Sequence, residues 1–404
     1  MKSKKNLWVI IGIVLLNSIG MSIVLPLLPF IVAKYLPSQQ VVVGMSALMS
    51  VFAACTFFAA PVFGALSDRY GRKNILIISL LGSVIGYVLF GIGGALWILF
   101  LGRIIDGLTA GNISTLFAYI SDCTEPEERT KWFGYLGSVM GIGFLAGPAL
   151  GGLLGSIALA LPFFVTAGLI FLSGLAVFFL LPESLAPEKR TGHLTLSSFN
   201  TFSHFKDIFS IKEVKLLLML GVLFYAGLGI FQFNFTIFLK DIYNWGPAYI
   251  GSILMLVGVC DIISRAWLLP RLLKHFNERS IGITGLIGLG TGLGLILASI
   301  YIHLTVVISI AVIFIISGEC LFDPTYNGIL SQSIGESKQG KLQGVNQSLQ
   351  SANKMLIPLG AAAIYFFSPG MLYATATFIM LVAVFTFTKF LPQTFPAQNL
   401  NESV

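Results

Sequence analysis

The chain has 404 residues, 56% of them hydrophobic and 10% charged, with a mean hydropathy of +0.90. These values exclude a soluble globular protein and read as an integral membrane protein. The net charge of +7 arises from 24 Lys and Arg against 17 Asp and Glu, and its distribution along the chain accounts for it without a nucleic-acid partner.

Apolar stretches of roughly 20 residues, the length a helix needs to cross a ~30 Å hydrocarbon layer, recur along the whole sequence. Twelve are expected, at 7–33, 42–63, 75–93, 95–120, 132–155, 157–181, 214–239, 247–269, 281–300, 304–333, 342–367 and 370–391. The first is too long for a signal peptide and has no small-residue cleavage site, so it reads as a retained span. With both termini placed in the cytoplasm, only Lys34 and Lys240 fall outside, and Arg103, Arg265 and Lys354 fall within spans. The other basic residues are cytoplasmic, as the positive-inside rule requires. The expected architecture is an all-α membrane protein of twelve transmembrane helices in two pseudo-symmetric six-helix bundles. Residues 1–181 form the first bundle, 182–213 a polar cytoplasmic linker and 214–404 the second.

An internal repeat supports that division. Lys131 with Lys341, Gly134 with Gly344 and Pro148 with Pro358 are each 210 residues apart, and parallel repeats are a common way to build a transporter. The counterpart of the turn Gly64–Lys73 is Arg271–Ser280, basic again but without the glycines. The four cysteines are scattered, and three of them, Cys55, Cys260 and Cys320, lie inside spans. They show neither disulfide nor metal spacing.

The polar turn GALSDRYGRK, Gly64 to Lys73, separates the second and third spans. Its glycines permit close approach of two helices and a turn, and Asp68 can accept hydrogen bonds from Arg72 in a partly dry setting. Gly64, Asp68, Arg69, Gly71, Arg72 and Lys73 match a signature, and by them the chain resembles the major facilitator superfamily. The resemblance implies that this loop is a cytoplasmic gate holding the two halves together. An acid ending span four completes such a gate in the family, and Asp122 sits at the matching place. The bland alternative is a solvated turn that only fixes topology.

Two further segments narrow the resemblance to the tetracycline-efflux-like branch of twelve-span drug/proton antiporters. LGRIIDGLTAGN, Leu101–Asn112, resembles the fourth-span signature, whose arginine, here Arg103, is associated with proton coupling. GIGFLAGPALGG, Gly141–Gly152, resembles the fifth-span exporter signature, with Gly143, Gly147, Pro148, Gly151 and Gly152 as the antiporter motif. Such small residues also serve helix packing alone. NSIGMSIVLPLLPF resembles the first-span signature, but Asn17 stands where those pumps commonly carry aspartate. This departure weakens tetracycline itself as the substrate.

Charge within the hydrocarbon layer costs several kcal/mol unless paired, neutralised or wet. The buried ionisable residues are therefore the shortlist for proton coupling: Arg103, Asp106, Glu319, Asp323 and Lys354, with Asp261 and Arg265 as a helical ion pair. Arg103 and Asp106, three apart, either neutralise each other or form a local proton site. Glu319 and Asp323 are four apart and followed by Pro324, and desolvation with like-charge repulsion disfavours ionising both. Lys354 on span eleven is the expected counter-ion for one of them, as a static bridge or as part of an exchange between proton and cationic substrate. The expected substrate cavity includes Asn17, Tyr225, Gln232, Asn234, Asn346, Gln347 and Gln350, the last three from an amide density that lipid exposure would not allow.

No phosphate-binding glycine loop, metal spacing or nucleophile with a base is present, so an enzyme is not expected, nor a metal, nor a cofactor beyond the proton gradient. The expected function is proton-coupled export of a small amphiphilic drug-like compound by two rocking bundles. Its partners would be the small-molecule substrate, protons and membrane lipid, with no nucleic acid. The expected form is a monomer with several passes through the cell membrane, the bacterial inner membrane by the resemblance. A proton-coupled metabolite importer and a non-transporting membrane receptor are the alternatives.

Overall fold

The computed structural model describes residues 4–110, 112–124, 126–185, 190, 212–333 and 339–390, and among these residues the fold is all-helical. Contacts divide the chain into two compact units. The first falls within Met1–Phe199 with Leu239–Gly258, and the second within Asn200–Phe238 with Val259–Val404. Most of the expected linker, 186–189 and 191–211, lies outside the described residues.

The first unit begins with α1 (Lys4–Ile23), a 3₁₀ turn and the short α2 (Leu28–Val32). It continues through α3 (Val41–Tyr70), α4 (Arg72–Ile92), α5 (Leu96–Leu108), α6 (Asn112–Cys123), α7 (Pro126–Ile157) and α8 (Leu161–Leu180). Glycines set the helix spacing. On α7, Gly143, Gly147 and Gly151 recur every fourth residue and so share one face. A methyl group added at each would collide with Ser18, Ser22 or Ile23 of α1, respectively. The Ser22 hydroxyl then donates to the Gly143 carbonyl at 3.0 Å. Helices α4 and α5 meet the same way, since a Cβ on Gly86 would lie 2.7 Å from the Gly102 carbonyl oxygen.

The helix α9 (Lys212–Tyr243) runs from the second unit into the first. It is followed by α10 (Pro247–Ile263), a π-helical turn over Ser264–Leu268 and the short α11 (Leu269–Leu272). Gly152 of α7 is packed against Pro247, Ala248 and Gly251 of α10, all within the first unit. The second unit is completed by α12 (Glu278–Ile302), α13 (Thr305–Gln332), α14 (Gln339–Phe367) and α15 (Pro369–Phe390). Its α12 and α13 repeat the glycine-on-glycine crossing of α4 and α5, with a Cβ on Gly285 lying 2.7 Å from the Gly318 carbonyl oxygen.

Ten helical stretches among the described residues are long and apolar enough to cross a membrane. The expected count of twelve is not reached by that measure, for two local reasons. The fourth expected span is broken into α5, of 13 residues, and α6, of 12, with the Thr109 hydroxyl donating back to the Ile105 carbonyl at 2.8 Å where α5 ends. The eleventh lies within α14, whose 29 residues are ample in length but carry Asn346, Gln347, Gln350 and Asn353, which lower its hydropathy.

Candidate functional site

The turn between α3 and α4 is made by Gly71, which has φ 97°, a conformation open to glycine and costly for other residues. A Cβ there would also collide with the Glu183 carboxylate. Arg72, at the first position of α4, reaches back to Asp68 (2.6 Å) and across to Asp122 on α6 (3.2 Å). It also donates to the Ser67 hydroxyl at 2.6 Å. The structure thus brings Asp68, Arg72 and Asp122 together. Lys73 donates to the Phe178 carbonyl at 2.8 Å, Arg69 is exposed and lies over the Tyr70 ring, and a Cβ on Gly64 would meet open space.

Glu183, which sequence reasoning missed, accepts from the backbone N–H groups of Arg72 (2.9 Å) and Lys73 (3.2 Å), satisfying two of the free donors at the start of α4. The same carboxylate accepts from the N–H groups of Ser184 and Leu185. Ser184 donates to Asp122 at 2.9 Å, and Tyr119 donates to the Pro182 carbonyl at 2.7 Å. The strap Pro182–Leu185 is therefore stitched to the turn and to α6. Its one sequence signal is an acid directly after a long apolar span.

Deeper in the first unit, Arg103 and Asp106 are 9% and 6% exposed. They form a long ion pair of 3.8 Å. The shorter contact of Asp106 is with Ser83 on α4, whose hydroxyl donates at 2.7 Å. The Arg103 guanidinium lies between the rings of Phe52 and Phe90, at 5.3 and 4.9 Å, positions suited to cation–π attraction. Asn17 is buried and donates to the Ile13 carbonyl at 2.9 Å. It shares a mainly apolar pocket with Ser18, Met21, Phe117, Leu136 and Met140.

In the second unit the expected bridge from Lys354 to a carboxylate is not found. Lys354 is exposed and makes no ion pair with a described residue. Glu319 faces Arg265 instead, at 3.8 Å, and Arg265 is held by Asp261 at 2.7 Å. The π turn that begins at Ser264 contains Arg265, and α10 and α13 are tied there by Ser264 with Ser317 and by the Cys320 thiol donating to Asp261. A one-residue widening of this kind re-aims a side chain and is frequent at functional sites.

Asp323 belongs to a separate set of contacts. It accepts from the Tyr225 hydroxyl at 2.6 Å and from Asn327 at 3.3 Å. Gln350 donates to the Tyr225 oxygen at 3.0 Å, while Asn346 donates to Asn327 at 3.3 Å and accepts from Tyr326 at 3.1 Å. Tyr225, Gln350 and Asn346 of the expected cavity are thus brought together. Gln232 and Gln347 are exposed, and Asn234 is fully buried with its amide donating to the Ile230 carbonyl. Tyr326 and Asn327 escaped sequence reasoning, although their place three and four residues after Asp323 puts all three on one helical face.

These observations describe a multi-pass helical membrane protein that keeps ionisable clusters inside both of its units. The chain belongs to the Major Facilitator Superfamily, whose model matches residues 10–358. It is 33% identical over 365 residues to the tetracycline resistance protein, class C, of Escherichia coli, covering 90% of this chain and 91% of that one. It is 27% identical to multidrug resistance protein 2 of Bacillus subtilis (strain 168), covering 95% and 96%. A solved structure, the human organic anion transporter MFSD10, superposes with a TM-score of 0.70 over 95% of this chain and 99% of that one, at 19% identity.

Proposed function

We propose that the protein is a secondary active transporter that exports a small amphiphilic, drug-like compound in exchange for protons by alternating access. The observation that carries this reading is a pair of acid–arginine clusters, Arg103 with Asp106 on the short buried face of α5, and Asp261–Arg265 with Glu319 in helical stretches long and apolar enough to span a membrane. Ionisable groups persist at such depth when they move ions or pair with one another. The export direction and the drug-like substrate are carried over from the tetracycline and multidrug resistance relatives. Asn17, Tyr225, Gln232, Asn234, Asn346, Gln347 and Gln350 are assigned to the substrate path, and Gly143, Gly147, Pro148, Gly151 and Gly152 to the packing that the export cycle works against.

Asp68, Arg72 and Asp122, with Gly64, Arg69, Gly71 and Lys73, are assigned to a cytoplasmic gate. Both termini are placed in the cytoplasm of a bacterial inner membrane, and the protein is taken as a monomer. The deciding experiment uses the purified chain in vesicles with an imposed proton gradient and a panel of cations, dyes and antibiotics. Accumulation of a panel compound on the proton-rich side supports antiport, whereas its depletion there means symport, and no flux for any compound removes the transporter reading. In the same assay Asp68→Asn is expected to reduce flux by on the order of tenfold while compound binding survives. Normal flux would remove the gate assignment.

A further inference from the structure

Each unit has an apolar groove well away from its ionisable cluster, between α4 and α8 in the first and between α12 and α15 in the second. Leu80, Leu81 and Val84 line the first groove where Gly290, Thr291 and Gly294, each 210 residues on, line the second. The facing helices correspond at the same offset, Ile170 and Phe171 with Met380 and Leu381. The smaller side chains on α12 leave a groove of about 260 Å³, against about 130 Å³ in the first unit. Its rims are open, with Ile287 50% and Leu381 61% exposed, and Gly290 and Met380 are buried beneath them.

A basic side chain stands at one end of each groove. Phe178 and Thr388, also 210 residues apart, lie in the last turns of α8 and α15, and the residue four further on is a proline, Pro182 or Pro392. Their carbonyls therefore have no N–H to accept from along the chain. Lys73 donates to the first at 2.8 Å and Arg279 to the second at 2.8 Å. Arg279 lies in the first turn of α12, so this contact sits where two spanning helices end. Lys389 adds a second positive charge in the last turn of α15. Glu278 is turned toward α13, where a Cβ on Gly328 would lie 3.4 Å from both of its carboxylate oxygens. Arg279 makes no ion pair with a described residue, and its Nε has no hydrogen-bond partner.

On α12, Arg279, Ile283, Ile287, Gly290 and Gly294 follow at three- or four-residue spacing, so charge and groove share one helix face. Along the helix axes the groove begins about 12 Å from Arg279 at Ile287 and about 6 Å from Thr388 at Val384. The glycerol and ester groups of a phospholipid span that separation. We propose that the groove between α12 and α15 binds a phospholipid with a net negative headgroup, its phosphate meeting Arg279 and one acyl chain lying along Gly290, Thr291 and Gly294. Charge complementarity selects this occupant, since a second copy of the chain would bring the same positive charge to Arg279. The first groove is the internal contrast, because its leucines and valine fill the space that the chain would take.

The test places the purified full chain in nanodiscs with phosphatidylglycerol that carries a diazirine on its acyl chain, and maps the adducts by peptide mass spectrometry after irradiation. Phosphatidylcholine with the same chains is the neutral counterpart. Adducts are expected on 286–294 and 377–384, about fivefold more from phosphatidylglycerol, the scale of one basic side chain at an anionic interface. Arg279→Gln is expected to remove that preference. Thr291→Leu with Gly294→Val, which installs the side chains of the first unit, is expected to lower the adducts from both lipids while labelling along α4 and α8 stays unchanged. A Cβ at Gly294 would meet Thr377 at 3.8 Å, an ordinary contact, and Thr291→Leu alone carries the test if the double variant does not fold. No adducts on the two stretches, equal labelling of the parent by the two lipids, or labelling that neither variant changes overturns the proposal. Adducts that form in nanodiscs holding one copy and vanish in those holding two would assign the groove to a second copy and overturn it as well.

Discussion

Each unit of this molecule holds an arginine and acid inside its helices, and the two arrangements differ in a telling way. In the first unit the stoichiometry is one to one, and the pair is closed in. Arg103 and Asp106 have side-chain exposures of 10% and 9%, two aromatic rings cover the guanidinium, and a serine hydroxyl holds the carboxylate. In the second unit two acids share one arginine, and the cluster is open, with Arg265 and Asp261 at 41% and 31%. A sealed pair balanced in charge resists change. The second cluster has one acid more than it has arginines, and its arginine is partly exposed.

The comparison breaks most sharply at Arg103. Arg103→Leu leaves Asp106 buried without its cation and is expected to cost about 3–5 kcal/mol of stability, the scale found when one partner of a buried pair is removed. Thermal and denaturant unfolding in detergent would measure it, and adding Asp106→Leu should recover much of the loss. A single variant as stable as the parent would mean that the first cluster is not a structural clamp. Glu319→Gln comes next. Proton-driven efflux should fall on the order of tenfold with the unfolding midpoint unchanged, and normal pumping would move coupling away from the second unit. The smallest effect is expected at Asp261→Asn. Its bond to Arg265 is partly exposed at the protein surface, so about 0.5–1 kcal/mol of stability is at stake, and a much larger loss in the same unfolding assay would show that the open cluster is as rigid as the closed one.

What could be read in the sequence followed from how close together the interacting residues lie along it. Asp68 and Arg72 are one helical turn apart and Asp261 and Arg265 likewise, so both pairs were readable as neighbours. Asp122 was reached through the family resemblance, since fifty residues separate it from Arg72. Glu183 left only the faint signal of an acid following an apolar span, because the partners it accepts from are backbone N–H groups, which almost every residue carries. The expected bridge from Lys354 failed because the π turn at Ser264–Leu268 carries Arg265, which faces Glu319, and no residue type announces such a turn. Spacing alone placed Glu319 and Asp323 on one face. It could not show that Arg265 on one side and Tyr225 on the other divide them into two sites.

The break between α5 and α6 bears on how the chain enters the bilayer in the first place. At 1.5 Å per residue, the 13 residues of α5 reach about 20 Å and the 12 of α6 about 18 Å, and neither crosses a ~30 Å core unaided. Insertion during synthesis is therefore a joint event for this pair. The neighbours α3 and α4 supply what this pair of short helices lacks, with Phe52 and Phe90 set against Arg103 and Ser83 donating to Asp106.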